Sequence, residues 1–361
     1  MKVLNARNVQ EALPRGLQLL DQYGERRESR NGPVLVAPWP VTTVYEKPVE
    51  KVLFWADRDA NPFFHLYESL WMLAGRNDVA PLIRYVKRSI DYSDDGKILH
   101  GAYGHRWRHA HRSGEGILAL MGEGFDQLPI IAQRLKENPD DRRCVLQMWD
   151  ANRDLGGHGK DHPCNTMATF QRGSRGELNL VVFCRSNDII WGAFGANAVQ
   201  FSTLLEYMAL WIGCPVGTYS QISVNFHAYL DMFEKCKIIR PDRLGFIYDP
   251  YSTGKVCSIP MIGSIEGIDE FITTILEDVD TGFSHGNFLP NDSWERVIYC
   301  VLKAHELYRT NVGAARYKKA LDVLMIADQE SDWIIAAQEW ILRRQYTWKM
   351  KQVTGGELEH P

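Results

Sequence analysis

Between about residues 30 and 260 the chain alternates strand-like runs with long helical patterns, and after Pro260 the strand-like text stops. The runs VLVAPWPVTTVY (34–45), CVLQMW (144–149), MATFQ (167–171), LNLVVFC (178–184) and TYSQISVNFHAY (218–229) are rich in β-branched and aromatic residues, which suit a pleated, half-buried surface. Such text implies a mixed fold around one substantial sheet. Segments near 267–280, 292–309, 314–327 and 331–345 are helical in period, the last opening at Ser331 as its N-cap. The expected organisation is an α+β unit over 1–260 and an all-helical extension over 261–357, with LEHP (358–361) reading as a vector-derived tail.

A formal charge of -4 with 24% charged residues lacks the basic excess of a nucleic-acid surface. No stretch is long and apolar enough to span a bilayer, and MKVLNARNVQEALPRGLQLL lacks the apolar centre of a signal peptide. Seven cysteines at wide, irregular spacings fit neither a disulfide framework nor a zinc site. A reducing cytoplasm is the expected compartment, without membrane or nucleic-acid partners.

Two helices bear on chemistry. Asn61-Pro62 forms a cap and first turn, Gly75 a stop, and PFFHLYESLWMLA between them is apolar around most of its circumference. Glu68 falls with His65 and Ser69 on the one narrow polar side, so its carboxylate is expected to face a lined cavity. A second helix, from about Asn197 to Trp211, follows the glycine-rich turn GAFGAN and ends at Gly213.

Cys164 lies in DHPCNTMATFQ (161–171), directly before a strand-like run. A lone cysteine is commonly a buried, inert core residue. Here Arg142 and Arg143 precede it and Arg185 follows. Guanidinium groups lower a thiol pKa and grip phosphate in a bidentate manner, so a nucleophile beside an anion site is expected.

The blocks ESLWMLAG (68–75), YGHRWR (103–108), DDRRCVLQMW (140–149), PCNTMATFQ (163–171), CRSND (184–188), NAVQFSTLLEYMA (197–209) and NFHAY (225–229) stand in an order that resembles the thymidylate synthase family, including its phage-type deoxypyrimidylate hydroxymethylase branch. The likeness covers about residues 20–235. It implies a mixed sheet with packed helices, 5,10-methylenetetrahydrofolate as cofactor, and a homodimer with shared active sites.

By that resemblance Cys164 is the nucleophile that adds to carbon 6 of a pyrimidine, making carbon 5 able to attack a one-carbon unit. Glu68 relays protons at the ring and the folate. Tyr103 and Asp188 complete the catalytic group, Asp188 also anchoring the pterin, with Trp107 and Arg58 on the cofactor side. Arg185 and Ser186 hold the 5′-phosphate, and Arg142 and Arg143 reach it from the other subunit. An N-terminal arginine joins them, Arg27 with Arg26 and Arg30 as rivals. His227 and Tyr229, two apart on a strand-like run, take the sugar 3′-hydroxyl. Asn197 reads the base, unless extra residues near GAFGAN place Ala196 there.

Three departures from the synthases bear on the product. Asn165 replaces the usual histidine after the cysteine; RSIDYSDDG (88–96) stands where a tryptophan-rich wall is usual; and the short apolar terminal tail gives way to the helical extension. A wetter site favours capture of the exocyclic methylene by water over hydride. The expected reaction is hydroxymethylation of dUMP by a phage-encoded enzyme acting in the host cytoplasm. The alternatives are thymidylate synthase, a dCMP hydroxymethylase, and a non-catalytic nucleotide-binding scaffold. A papain-like hydrolase would need a histidine paired with Cys164, and its local signature is missing.

Overall fold

The computed structural model describes residues 1–109, 124–284 and 289–354. The tail at 358–361 and the last residues of the expected extension, 355–357, lie outside the described residues.

Ten strands form two sheets. In chain order they are β1 (Lys2–Ala6), β2 (Glu25–Arg27), β3 (Val34–Val36), β4 (Val41–Tyr45), β5 (Val145–Gln147), β6 (Asn165–Arg172), β7 (Leu178–Cys184), β8 (Asn187–Asp188), β9 (Val216–Ser223) and β10 (Phe226–Tyr229). The larger sheet runs β1-β4-β9-β7-β6-β5 and mixes parallel with antiparallel pairs; the smaller runs β2-β3-β10-β8. Register places Asn165 opposite Cys184, so Cys164 and Arg185 leave the sheet at the same end. The Arg185 amide donates to the Cys164 carbonyl at 2.9 Å.

Helix α1 (Val9–Tyr23) packs beside the larger sheet, and helix α2 (Pro62–Leu73) packs among other helices. Asn61 caps α2 by accepting from Phe64 N at 3.1 Å, and the chain turns away at Gly75 with φ +70. That left-handed conformation costs glycine nothing and would strain any side chain. Helix α3 (Tyr103–Arg108) and helix α4 (Gln127–Glu137) lead to helix α5 (Asn197–Ile212), which is buried along almost its whole length and crosses α2.

The C-terminal part is helical as expected: α6 (Ile265–Asp280), α7 (Ser293–Thr310), α8 (Gly313–Leu324) and α9 (Asp332–Thr354). Ser331 stands at the cap position, its carbonyl accepting from Ile335 N at 2.9 Å, but its hydroxyl is buried with no partner and caps nothing. The Asp332 carboxylate takes Trp333 N at 2.8 Å instead.

These helices share one apolar core with the sheet-bearing part. Phe63 of α2 packs between His305 of α7 and Trp340 of α9, with ring centroids at 5.2 and 5.3 Å. Tyr67, Tyr85 and His305 stack at 4.7 and 4.3 Å. An ionic clamp accompanies this seam. Both oxygens of the Asp59 carboxylate are taken by α9, Oδ1 by Arg343 and Arg344 at 3.2 Å each and Oδ2 by Arg344 at 3.0 Å. Asp59 sits at φ +48, which costs a residue with a Cβ roughly 1–2 kcal/mol, so the clamp holds a strained turn in place. The residue before it is Arg58.

Candidate active site

Cys164 is half-buried at the start of β6, its Sγ 3.9 Å from the His162 carbonyl oxygen. Burial pushes the thiol above its ordinary pKa, although the charges of Arg185 and Arg30 pull the other way. This corrects the expectation from sequence. The arginines are nearby, but within one chain desolvation outweighs them, since a thiolate loses more hydration than two cations return.

The turn at 101–103 is hydrogen-bonded to the chain on both sides of Cys164. Gly101 N donates to Asp161 Oδ2 at 2.7 Å, and Tyr103 Oη accepts from Asn165 N at 3.3 Å. Burial holds the Tyr103 hydroxyl well above its usual pKa, so it stays a neutral donor.

Glu68 projects from α2 toward α5, where its Oε2 accepts from Gln200 Nε2 at 2.6 Å. Desolvation raises its pKa to about 7, the Gln200 hydrogen bond opposing. A carboxyl group poised there can give and take a proton near neutrality. Its neighbour His65 is buried and lowered to about 3 by burial and by the Arg58 charge, so that imidazole is neutral and takes no part in proton transfer at pH 7. Sequence reasoning missed Gln200. Its only signal was its place three residues after Asn197, on the same helix face.

Asn197 opens α5 and belongs to a directed chain of buried amides. Gln221 Nε2 donates to Asn165 Oδ1 (3.2 Å), Asn165 Nδ2 to Asn197 Oδ1 (3.1 Å), Asn197 Nδ2 to Asn187 Oδ1 (3.1 Å), and Asn187 Nδ2 to Ser223 Oγ (2.9 Å). Ahead of α5 the chain forms a π-helical stretch over Ile189–Ala196, with non-helical dihedrals at Phe194 and Gly195. Asn197 is thereby hydrogen-bonded to Asn165, the residue that follows Cys164. Each amide orients the next, so Asn197 is fixed and not free to turn.

The smaller sheet supplies a pocket of about 230 Å³ whose lining includes Arg27, Arg30, Ser186, Asn225, His227 and Tyr229. His227 and Tyr229 share a face of β10, their rings 5.7 Å apart, as alternation requires. Arg27 is paired with Glu25 at 2.6 Å, whereas Arg30 also lines an adjoining cleft of about 710 Å³ and acts on the Cys164 thiol. Arg185 donates to the carbonyls of Pro163 and His162 and lies over Trp149. Arg142 and Arg143 are exposed ahead of β5 and line neither cavity, Arg143 pairing with Asp141 at 2.9 Å.

Arg88, Asp91, Tyr92, Lys160 and Trp191 are among the residues lining the larger cleft, so the segment without tryptophan makes a polar wall. That wall is tied to the segment leading into Cys164, for Lys160 N donates to Asp94 Oδ1 at 3.1 Å and Lys160 Nζ to the Ser93 carbonyl at 3.3 Å. Asp188 caps the π-helical stretch through Ile190 N (3.0 Å), and desolvation raises its carboxyl to about 6 against the pull of Arg58. Arg58 is 1% exposed. Its Nε donates to the Ile190 carbonyl at 2.8 Å, its guanidinium lies 4.4 Å from the Trp191 ring centroid, and both terminal nitrogens are buried with no hydrogen-bond partner among the described residues. Two orphaned donors on a buried cation are costly unless an anion or carbonyl meets them.

Trp107 has no exposed surface and packs on Phe201 at 5.9 Å, backing the wall from the core, and its Nε1 is buried with no hydrogen-bond partner among the described residues.

A thymidylate synthase family model matches residues 51–240. The chain is 46% identical to the deoxyuridylate hydroxymethyltransferase of Pseudomonas phage M6 over 98% of its own length and 97% of that protein's. It is 42% identical to the deoxyuridylate hydroxymethyltransferase of Bacillus phage SP01 over 53% of this chain and 50% of that one. The thymidylate synthase of Ascaris suum is 28% identical over 63% of this chain and 72% of its own.

Proposed function

Because the chain belongs to the thymidylate synthase family, we propose that it transfers a hydroxymethyl group to carbon 5 of dUMP. The observation that carries this reading is Cys164 directly before the Asn165–Asn197 amide pair and within reach of the charge of Arg30, which lines both the small pocket and the polar-walled cleft adjoining it. Likeness to the M6 enzyme over nearly the whole chain, C-terminal helices included, supports the hydroxymethyl branch over the synthase.

In this reading Cys164 adds to carbon 6, and the nucleotide's phosphate and sugar are held by Arg185, Ser186, Arg30 or Arg27, His227 and Tyr229. The fixed Asn197 amide presents a donor and an acceptor to the base, which suits the imide edge of uracil. Tyr103 keeps a neutral hydroxyl near the nucleophile, and Glu68 moves protons at the ring carbonyl. Methylenetetrahydrofolate, when bound, supplies the one-carbon unit. The residues present fit it: the 710 Å³ cleft is of ligand size, and behind its Trp191 stand the Asp188 carboxyl, suited to a heterocycle, and the orphaned nitrogens of Arg58, suited to an anionic or carbonyl group.

We further propose a two-fold dimer. Register places Val3, Thr42, Ile222, Phe183 and Met167 in one row across the larger sheet, and Val3, Phe183 and the neighbouring Val181 and Val145 are exposed. A second copy on that apolar face would cover it and could bring its Arg142 and Arg143 to the phosphate. Among the described residues no helix is long and apolar enough to cross a membrane, and all seven cysteines are free, which supports action in the cytoplasm of an infected cell.

Mass spectrometry of the product from dUMP and methylenetetrahydrofolate tests the reaction. A hydroxymethyl nucleotide with no rise in dihydrofolate absorbance is expected. Stoichiometric dihydrofolate with a methyl product would show a synthase instead.

A further inference from the structure

The residues ahead of the nucleophile, Asp161 and His162, have no part in the roles assigned above. Asp161 is half-buried three residues before Cys164, and its carboxylate is oriented. Oδ2 takes Gly101 N at 2.7 Å, while Oδ1 has no hydrogen-bond partner among the described residues. Gly101 packs so closely that a Cβ there would meet Pro163 N at 2.9 Å and Asp161 Oδ1 at 3.1 Å. The carboxylate thus lies back along the segment that leads into Cys164. The same turn holds Asn165 through Tyr103, so one rigid support fixes acidic group, nucleophile and phenol together.

Resting on the hydroxymethylase reading, we infer that Asp161 is the general base for the water that captures the exocyclic methylene. The water oxygen bonds to the methylene carbon as its proton passes to Asp161 Oδ1, and the displaced electron pair moves onto the carbon 4 oxygen as an enolate. The enolate then re-forms the carbon 5–carbon 6 double bond, the carbon 6–sulfur bond breaks, and Cys164 leaves as thiolate. Atoms and charge balance with water as the only added reactant.

Other groups suit this step less well. Glu68 Oε2 is already taken by Gln200, and its proton is the one assigned to the ring carbonyl. His100 Nε2 is held by Asp154 at 2.9 Å, and Asp154 is itself held by Arg106 at 2.8 and 3.2 Å. His162 Nδ1 is buried with no partner. Burial raises the Asp161 carboxyl above its ordinary pKa, which strengthens it as a base.

The test is a partition experiment on the full chain with dUMP tritiated at carbon 5, methylenetetrahydrofolate and added 2-mercaptoethanol. A thiolate needs no base to attack the methylene, so it reports how long the intermediate waits. In Asp161→Asn, tritium release should persist, hydroxymethyl product should fall about 100-fold or more, and the thioether adduct should take its place. In Asp161→Ala, added formate should restore part of the hydroxymethyl product, a recovery that a merely misfolded variant would not show. An unchanged ratio of alcohol to thioether in Asp161→Asn would overturn the assignment, as would a ratio that shifts only in Glu68→Gln or His162→Asn. If the wild type itself yields only a methyl product, the reaction has been misread and the inference falls with it.

Discussion

Glu68 Oε2 and Gln200 Nε2 meet at 2.6 Å, joining α2 to α5. The bond stabilises the carboxylate while desolvation favours the acid, and the balance stands at about 7. If protonated Glu68 is the working form, turnover falls as pH rises through 7. Gln200→Leu removes the opposing term and should move that limb to higher pH, whereas Glu68→Gln should abolish the limb and lower kcat by about 100-fold. A pH profile of kcat for the three proteins checks this.

Cys164→Ala should stop exchange of the carbon 5 hydrogen while dUMP still binds, because the pocket of Arg30, Ser186, His227 and Tyr229 is untouched. Tritium release and equilibrium dialysis report the two quantities separately. Wild-type exchange in the mutant would remove Cys164 from the mechanism.

Asn197→Asp replaces the donor to Asn187 Oδ1 with a second acceptor. The amide chain must then reorder, at about 1–3 kcal/mol, and a carboxylate faces the base. Turnover of dUMP should drop by one to two orders of magnitude and the dCMP to dUMP efficiency ratio should rise. A constant ratio would mean that another residue reads the base.

Asp332 is buried where α9 meets the sheet-bearing part. It accepts from Tyr251 Oη at 2.8 Å, near the Lys51–Glu206 pair. Burial lifts its carboxyl to about 7, above its value in an unfolded chain. The folded form therefore binds the proton more tightly, and the stability this confers is present at acid pH and lost as pH rises through 7. Glu68 and Asp188, raised to about 7 and 6, act with the same sign. Thermal melts should show Tm several degrees lower at pH 8 than at pH 5.5, with a smaller difference in Asp332→Asn.

The clamp on Asp59 is expected to act through Arg58. Replacing Arg343 and Arg344 together by Met frees Asp59, and the KM for methylenetetrahydrofolate should rise about 10-fold with dUMP affinity unchanged. Asp59→Gly should melt higher than Asp59→Ala by about 1 kcal/mol of stability, since glycine alone accepts φ +48 without strain. Equal changes in both substrates' constants would refute a selective link to Arg58.

Cys164, Glu68, Arg185 and the His227–Tyr229 pair were legible because ordered blocks and strand alternation constrain them, and the cap at Asn61 because its chemistry is local. Gln200 and Asp161 were not, since a glutamine on a helix or an aspartate in a loop acquires a role only when folding supplies its partner. The burial of Trp107 was likewise not legible, since its block position says nothing of how much of the ring packing covers. The thiol pKa was misjudged for a related reason: charges can be counted along a chain, whereas desolvation cannot.

Phe63 lies between His305 and Trp340, and Asp59 is bound by Arg344, so the helices after residue 260 are built into the same α2 that carries Glu68. A gene shortened to the stretch the family model matches would strip one face from α2 and leave its aromatic side chains as an aggregation surface. Chimeras that exchange C-terminal halves between relatives should succeed only where Phe63, His305 and Trp340 travel as one set and Asp59, Arg343 and Arg344 as another. Inheritance of the two halves is thereby coupled, and drift in a helix remote from the nucleophile becomes drift in the enzyme's chemistry.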